Sequence, residues 1–456
     1  MPLEGATTEE PSPIIREINL EEAIGLAMEC QRSGRLTDAE LLYRKILEME
    51  PARPEALHYS GVLAHQQGRL EEATALIERS LEVEPNQADC YSNLGIVLHA
   101  RGKIDEAIAA CERAIALDPD HANAYSNLGA LLKTQGRVVE AEAAYRNAIR
   151  LNPDHPGAFV NLGILLASQG RVQEAVSCYC KVITLSPKHP DARRLLALAH
   201  STLGEVDKAA KIYEDWLLEE PDNPIAQHMS AACSGRNVPA RASDNYVATV
   251  FDGFADSFDF RLAHLGYRAP TLVADMVAEA GVEPAKRFDV LDAGCGTGLC
   301  GPLVAPHARR LVGVDLSGRM LAQAEERHVY DELVKGELTA YLSGATEAFD
   351  LILSADTLVY FGPLDEVIGA AAGALRPGGR LIFTVEEWCD GDASIGFSIS
   401  PHGRYSHARD YVERVLLGAA LRPELVRAEL RMEGGAPVEG LVVRATKPSS
   451  AEVRDA

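Results

Sequence analysis

The first half of the chain is built from helix-length amphipathic stretches that recur with a period of 34 residues. A proline closes each block, at Pro51, Pro85, Pro119, Pro153, Pro187 and Pro221. A glycine stands inside each block, at Gly34, Gly68, Gly102, Gly136, Gly170 and Gly204. Five residues later comes an alanine, at Ala39, Ala73, Ala107, Ala141, Ala175 and Ala209, and in four blocks a tyrosine follows it: Tyr43, Tyr145, Tyr179 and Tyr213. The glycine ends a first helix in a tight turn, the alanine lets a second helix come close, and the proline ends that second helix. The pattern predicts six helix–turn–helix units from Leu20 to Asn223, then a capping helix in PIAQHMSAACSG that Gly235 ends. No such unit can bury its apolar face alone, so neighbours must stack.

Period and positions together resemble the tetratricopeptide repeat. The resemblance implies a right-handed all-α superhelix with a concave groove. Asn93, Asn127 and Asn161 occupy one place on the first helix of three adjacent units, each before Leu-Gly. Such a row is similar to the asparagine ladder of O-GlcNAc transferases, which implies a groove that grips a protein or peptide. An amide offers donors and an acceptor, so it can hold main chain without reading side chains. The alternative is an asparagine that packs between helices. His121, His155 and His189 recur with the same period but lie about a repeat apart, too far to share a metal whose ligands sit at about 2 Å. They read as solvated loop residues, and no metal site is expected.

Beyond Asn223 the repeat fades. The segment RNVPARASDNYVATVFDGFADSFDFRLAHLGYRAP is too apolar for a flexible linker. It is expected to pack across a cofactor mouth or between domains. An apolar strand at Val290–Leu291 then runs into Asp292, Gly294, Gly296 and Gly298, where glycines at a strand-to-helix turn let a ligand approach main chain. LVGVDLS reads as a second strand ending in Asp315, an acid placed to accept ribose hydroxyls. Gly296, Gly298 and Gly301 also satisfy G-x-G-x-x-G, so a nicotinamide cofactor has to be weighed, although a lone match of that kind is weak.

Three features instead resemble class I S-adenosylmethionine-dependent methyltransferases. Asp292 precedes the glycines; FDLILSADTLVYFG and LRPGGRLIFTVE follow in order as fourth and fifth strands; and LVRAELRMEGGAPVEGLVVRATK reads as a hairpin around Gly434–Gly435. The resemblance implies an α/β Rossmann-like domain, a seven-stranded sheet with a reversed last strand, and S-adenosyl-L-methionine as cofactor. By that resemblance Asp292, Gly294, Cys295, Gly296 and Gly298 line the methionine moiety and Asp315 binds the ribose. Leu316 and Met320 flank the adenine, with Glu337 and Leu338 at its amine, and Asp356 to Tyr360 lie at the methyl-transfer mouth. Glu337 is one methylene longer than the aspartate usual there.

On the acceptor side, SPHGRYSHARDYVERVL clusters Arg404, Tyr405 and His407 ahead of a helix. His407 reads either as a base for an oxygen or nitrogen acceptor, alongside Asp356 and Tyr360 as the catalytic set, or as a residue bonded to the following helix. Arg404 either holds a substrate carboxylate or forms an ion pair. Glu386 and Glu387 end the fifth strand, and one must point away from the site because strand neighbours alternate faces. Tyr246, Phe251, Phe258 and Tyr267 either lid the pocket or simply pack. Nothing basic adjoins Cys295 or Cys300, so neither is expected to react.

Composition narrows the partners. The 456 residues carry a net charge of −23, which disfavours a general nucleic-acid binder. No apolar run reaches the roughly 20 residues a membrane helix needs. The N-terminus has no apolar core, and nine cysteines form no framework, so a cytoplasmic location is expected. The expected organisation is a disordered tail over 1–19, repeats over 20–236, a methyltransferase domain over 240–447 and a second tail over 448–456. Three functions remain open: methylation of a protein recruited by the repeats; methylation of a small molecule, with the repeats serving scaffolding or a homodimer; or a cofactor-binding docking module.

Overall fold

The computed structural model describes residues 19–279, 286–389, 395–433 and 436–449. Nearly all of both expected tails, and the turn at Gly434–Gly435, lie outside the described residues. Asn19 does not belong to a tail. It caps the first helix, accepting the Glu22 amide at 2.8 Å in a capping box. The chain's contacts divide it into two bodies, 1–192 and 193–456.

The first body is a stack of helix pairs: α1 (Leu20–Arg32) with α2 (Leu36–Met49), α3 (Pro54–Gln66) with α4 (Leu70–Val83), α5 (Ala88–Ala100) with α6 (Ile104–Leu117), α7 (Ala122–Thr134) with α8 (Val138–Leu151), and α9 (Pro156–Ser168) with α10 (Val172–Leu185). Each first helix ends on a left-handed glycine, as at Gly170 with φ +77°, and the next amide reaches back to close the turn (Arg171 to Leu166 O, 2.9 Å). The repeat alanines Ala39, Ala73, Ala107, Ala141 and Ala175 are fully buried between helices. In four of these five units the residue four places on seats against a glycine of the first helix. A Cβ at Gly163 would fall 2.4 Å from the Tyr179 ring, and in the two non-aromatic units Ile77 and Cys111 take the same seat on Gly61 and Gly95.

The recurring histidines are not solvated loop residues. His121, His155 and His189 accept the amides of Ala124, Ala158 and Ala192 at 3.2, 3.2 and 3.3 Å, capping first helices through Nδ1. An imidazole that acts as an N-cap recurs once per repeat because a helix N-terminus does.

The division falls within the first turn of α11 (Pro190–Thr202), and the second body continues with α12 (Val206–Glu219) and the capping helix α13 (Pro224–Ser234), followed by α14 (Asp244–Asp252), α15 (Phe258–His264) and α16 (Ala269–Glu279). The expected boundary at 236–240 therefore differs from the division in the chain's contacts, which falls at 192/193. The cause is packing. Tyr213, Trp216, Met229 and Cys233 form one apolar cluster with Tyr246, and Tyr360 packs against it.

The sheet comprises β1 (Phe288–Ala293), β2 (Ala308–Asp315), β3 (Glu332–Lys335), β4 (Phe349–Ser354), β5 (Leu375–Glu387), the short pair β6 (Phe397–Ile399) and β7 (Tyr405–His407), and β8 (Arg422–Glu433) and β9 (Ala436–Thr446). Its long strands run β3-β2-β1-β4-β5-β9-β8, parallel up to β5, with β9 antiparallel to both neighbours. β6 and β7 form a hairpin that the sequence reading did not contain, added to the end of β5 where Glu386 pairs Ser406. Helices α17 (Gly301–Val304), α18 (Gly318–Glu325), α19 (Leu338–Ser343), α20 (Asp365–Ala374) and α21 (Arg409–Gly418) complete the body. The interior strands are apolar on both faces, and a separate core cluster lies on each side. Strand order reverses between β1 and β4, so the crevice at their carboxyl ends is where an open α/β sheet accepts ligand.

Candidate active site

At that crevice a cavity of about 320 Å³ is lined by Asp292, Gly294, Cys295, Gly296, Asp315 and the 355–360 segment, among others. A smaller one of about 50 Å³ shares Gly294, Asp315, Thr357 and Tyr360 and continues to Leu316, Glu337 and Leu338. Asp315 therefore sits at the junction of two chambers. Its carboxylate accepts the Gly296 amide at 2.9 Å and the Ser317 amide at 2.8 Å, and each oxygen keeps a lone pair for a ligand. Burial raises its pKa, while these amides act against the rise.

Asp292 is buried on β1, and the Tyr330 hydroxyl donates to it at 2.6 Å. Burial pushes this carboxyl up to about 7 against that hydrogen bond. Tyr330 was invisible in the sequence because a lone tyrosine before β3 carries no pattern. Its ring explains Gly298, where a Cβ would meet Tyr330 at 2.9 Å. Gly298 therefore makes room for Tyr330 and, unlike Gly294 and Gly296, does not line either cavity. Met320 lines neither chamber; it is buried in α18 beneath them. Glu337 lines the small chamber but already accepts the Thr339 and Ala340 amides at 3.0 and 2.7 Å, capping α19.

The segment joining repeats and sheet forms one wall. Phe251, Phe254 and Phe258 line the cavity and pack on one another, with Tyr267 beside them. Two carboxylates of this segment clasp the loops after β2 and β1: Asp252 accepts the Ser317 hydroxyl and Asp259 the Thr297 hydroxyl, each at 2.5 Å. Tyr246 does not lid the pocket; it is buried against His228, ring centroids 4.0 Å apart.

Another part of the lining is ionic. Arg404 donates to Glu386 at 2.7 Å and to Glu433; Arg431 donates to Asp356 at 2.8 Å and to Glu386. Burial works to raise the Glu386 pKa, and the two guanidinium groups overcome it and hold the carboxyl low. Glu387 points the other way, to Arg427 at 2.6 Å, as strand alternation requires. Asp356 adopts φ +53°, a left-handed conformation held by Thr384 and Arg431. Arg431 and Glu433 were not singled out in the sequence, although their i, i+2 spacing on a strand places them on one face. Tyr360 lines both chambers, and burial pushes its hydroxyl up to about 12.

His407 and Tyr405 are not brought to the cavity. His407 is fully buried on β7 and donates to Gly362 O at 2.9 Å; burial lowers it to about 4. It is locked as a structural donor, so the base role expected from its neighbourhood in sequence has no geometry behind it. The Tyr405 hydroxyl donates to Pro239 O at 2.6 Å beneath the same hairpin. Arg404 alone of that cluster faces the chamber.

In the first body, Asn93 Nδ2 lies 2.8 Å from His58 Nε2 and Asn127 donates to Ser92 at 3.0 Å, each reaching the first helix of the preceding unit; Asn161 is half-buried at the equivalent place. A polar cavity of about 410 Å³ is lined by Glu55, His58, Asp89, Asp118, His121 and Asn123, among others.

The fold is an all-helical tetratricopeptide-repeat superhelix followed by an α/β Rossmann-like domain, and family models find tetratricopeptide repeats in the first and a methyltransferase domain in the second. Residues 290–379 match the family described as methyltransferase domain, and residues 32–94, 97–136, 120–188 and 166–233 match tetratricopeptide-repeat families. Among curated relatives, the malonyl-[acyl-carrier protein] O-methyltransferase of Enterobacter lignolyticus is 35% identical over 102 residues, 22% of this chain and 40% of the relative. Its counterpart from Pectobacterium atrosepticum is 32% identical over 146 residues, 31% of this chain and 54% of the relative. The chain thus spans about half the length, or less, of the curated relatives it matches. The solved Pseudomonas aeruginosa PilF is similar at 19% identity, covering 46% of this chain and 96% of PilF with a TM-score of 0.40. Among the described residues no helix is long and apolar enough to cross a membrane.

Proposed function

We propose that the chain transfers a methyl group from S-adenosyl-L-methionine to an acceptor, and that the repeats recruit a protein or peptide that carries or delivers it. The observation that carries the reading is Asp315 at the junction of the two chambers. Asp315 would hold the ribose hydroxyls, Leu316 and Leu338 would line the adenine end, and Gly296 and buried Asp292 would line the methionine end. The residues present suit such a ligand. At Gly296 a Cβ would meet only the Phe258 ring, at 4.0 Å, and the lining supplies carboxylates for the ammonium and sulfonium charges. When bound, the cofactor supplies an electrophilic methyl. The chain's contribution is to position the acceptor in line and exclude water, through the aromatic wall and the ionic floor. The recruitment half is supported by the polar repeat cavity; the Asn93 and Asn127 amides already bond to the preceding unit, so there the asparagine row packs between helices. A cytoplasmic setting and a reducing environment for the thiols are part of the same reading.

The test is incubation of purified protein with methyl-labelled cofactor and a cell extract, followed by separation of label by size. Wild type is compared with Asp315→Ala and with the triple variant Asn93→Ala, Asn127→Ala, Asn161→Ala. Label on a discrete protein band, lost in the first variant and reduced in the second, is the expected result. Label confined to small molecules and unchanged in the triple variant would sink recruitment while keeping methyl transfer. No transfer in wild type would sink both.

A further inference from the structure

The ionic wall restricts which acceptor fits, and this inference rests on the methyl-transfer reading. Arg404 and Arg431 are not free cations waiting for an anionic substrate, because two guanidinium groups meet three carboxylates, Asp356, Glu386 and Glu433. The cavity lining as a whole carries four carboxylates, Asp292, Asp315, Asp356 and Glu433, against those two arginines. The cofactor would bring one net positive charge; the loaded chamber is then negative with Asp292 ionised and neutral with Asp292 protonated, so it holds no excess positive charge for an anionic acceptor. A carboxylate acceptor would add an unbalanced negative charge in a poorly solvated space, which costs far more there than in water. An ammonium offsets the charge already present.

Two further features point the same way. The same cavity is lined by four aromatic side chains, Phe251, Phe254, Phe258 and Tyr267, and aromatic rings attract cations. Within the ionic cluster, Glu433 is the least buried carboxylate, its side chain 40% exposed against 16% for Asp356 and 8% for Glu386. Its Oε2 is taken by Arg404, and its Oε1 accepts no hydrogen bond among the described residues.

We propose that this site methylates an amine nitrogen and that Glu433 Oε1 is the proton acceptor. A primary or secondary ammonium enters along the aromatic wall and gives one proton to Glu433. The freed lone pair forms the N–C bond as the S–C bond breaks, and that electron pair stays on sulfur as a neutral thioether. The methylated ammonium departs and Glu433 returns its proton to water. A lysine side chain of a recruited protein and a free alkylamine present the same chemistry.

The experiment is titration calorimetry on the full chain saturated with S-adenosylhomocysteine, using two matched pairs. One pair is 3-phenylpropylamine against 3-phenylpropionate; the other is a lysine-containing peptide against the same peptide with norleucine. At least one amine is expected to bind about tenfold or more tighter than its match, and Glu433→Gln is expected to remove most of that preference. The pair that shows the preference tells a small amine from a protein lysine. If the chain does not bind S-adenosylhomocysteine, the methyl-transfer reading falls and this inference with it. If it binds but neither amine exceeds its match, or Glu433→Gln keeps the full preference, the inference is overturned and methyl transfer stands. Should Glu433→Gln fail to fold, the wild-type comparison alone decides.

Discussion

The amide of Gly296 donates to Asp315 Oδ2 at 2.9 Å, which ties the glycine turn after β1 to the acid that ends β2. One side chain thereby sets the turn and presents an acceptor to both chambers. Asp315→Ala should lose both functions: S-adenosylhomocysteine affinity about 100-fold lower or worse, from the loss of charge-assisted hydrogen bonds of roughly 1.5–3 kcal/mol each, together with a lower melting temperature. Calorimetry and thermal melting check this, and an unchanged affinity would remove Asp315 from the cofactor site.

Gly294 and Gly136 share a left-handed backbone, φ +76° and +74°, but not their surroundings. A Cβ at Gly294 would sit 2.1 Å from Thr357 Oγ1, whereas none lies within 4 Å at Gly136. Gly136→Ala should therefore cost only the backbone strain of about 1 kcal/mol. Gly294→Ala should cost clearly more in chemical denaturation and also damage the cavity, and adding Thr357→Ala should recover part of the excess. Equal losses at the two sites would contradict the steric account.

Asp292 carries a folded-state pKa of about 7 against an ordinary 3.8. For an acid raised on folding, the associated stability is complete below about 4 and is lost as pH rises through 7. Asp292→Asn should thus stabilise the ligand-free protein relative to wild type at pH 8, by on the order of a few kcal/mol, and little at pH 4. The same variant should bind S-adenosylhomocysteine more weakly, since the ligand's ammonium is best met by the ionised form. Denaturation across pH 4 to 8 checks the first half; a pH-independent difference would mean that Asp292 does not titrate there.

His407 is held neutral, its pKa lowered to about 4 from 6.5. A base depressed on folding supports stability above its unfolded value, and that support is lost as pH falls from 6.5 toward 4. His407→Gln, which keeps a donor for Gly362 O, should flatten this acid sensitivity and leave turnover within a few-fold of wild type. A fall of 10²–10⁴ with the fold intact, the range for removing a general base, would restore the catalytic role that its place in the sequence suggested.

The sequence by itself determined the architecture, because periodicity is a local property. A 34-residue repeat of Gly, Ala and Pro dictates turn, close approach and helix end in each unit. A glycine turn between an apolar strand and a downstream acid dictates a strand-to-helix crossover. Gly294, Gly296 and Asp315 could be placed at the chambers from that local order, and Leu316 and Leu338 through the resemblance to class I methyltransferases. Gly298, Met320 and His407 could not, since neighbours in sequence diverge once Tyr330 fills the turn and the β6–β7 hairpin turns His407 inward. Only the tertiary structure brought Arg404 and Glu386 to Arg431 and Glu433, which lie far apart along the chain and meet because β9 inserts beside β5 and carries β8 with it. It also decided that the sixth repeat and capping helix share a body with the α/β sheet. Burial and charge balance are sums over neighbours in space, and a chain read in order supplies no such sum.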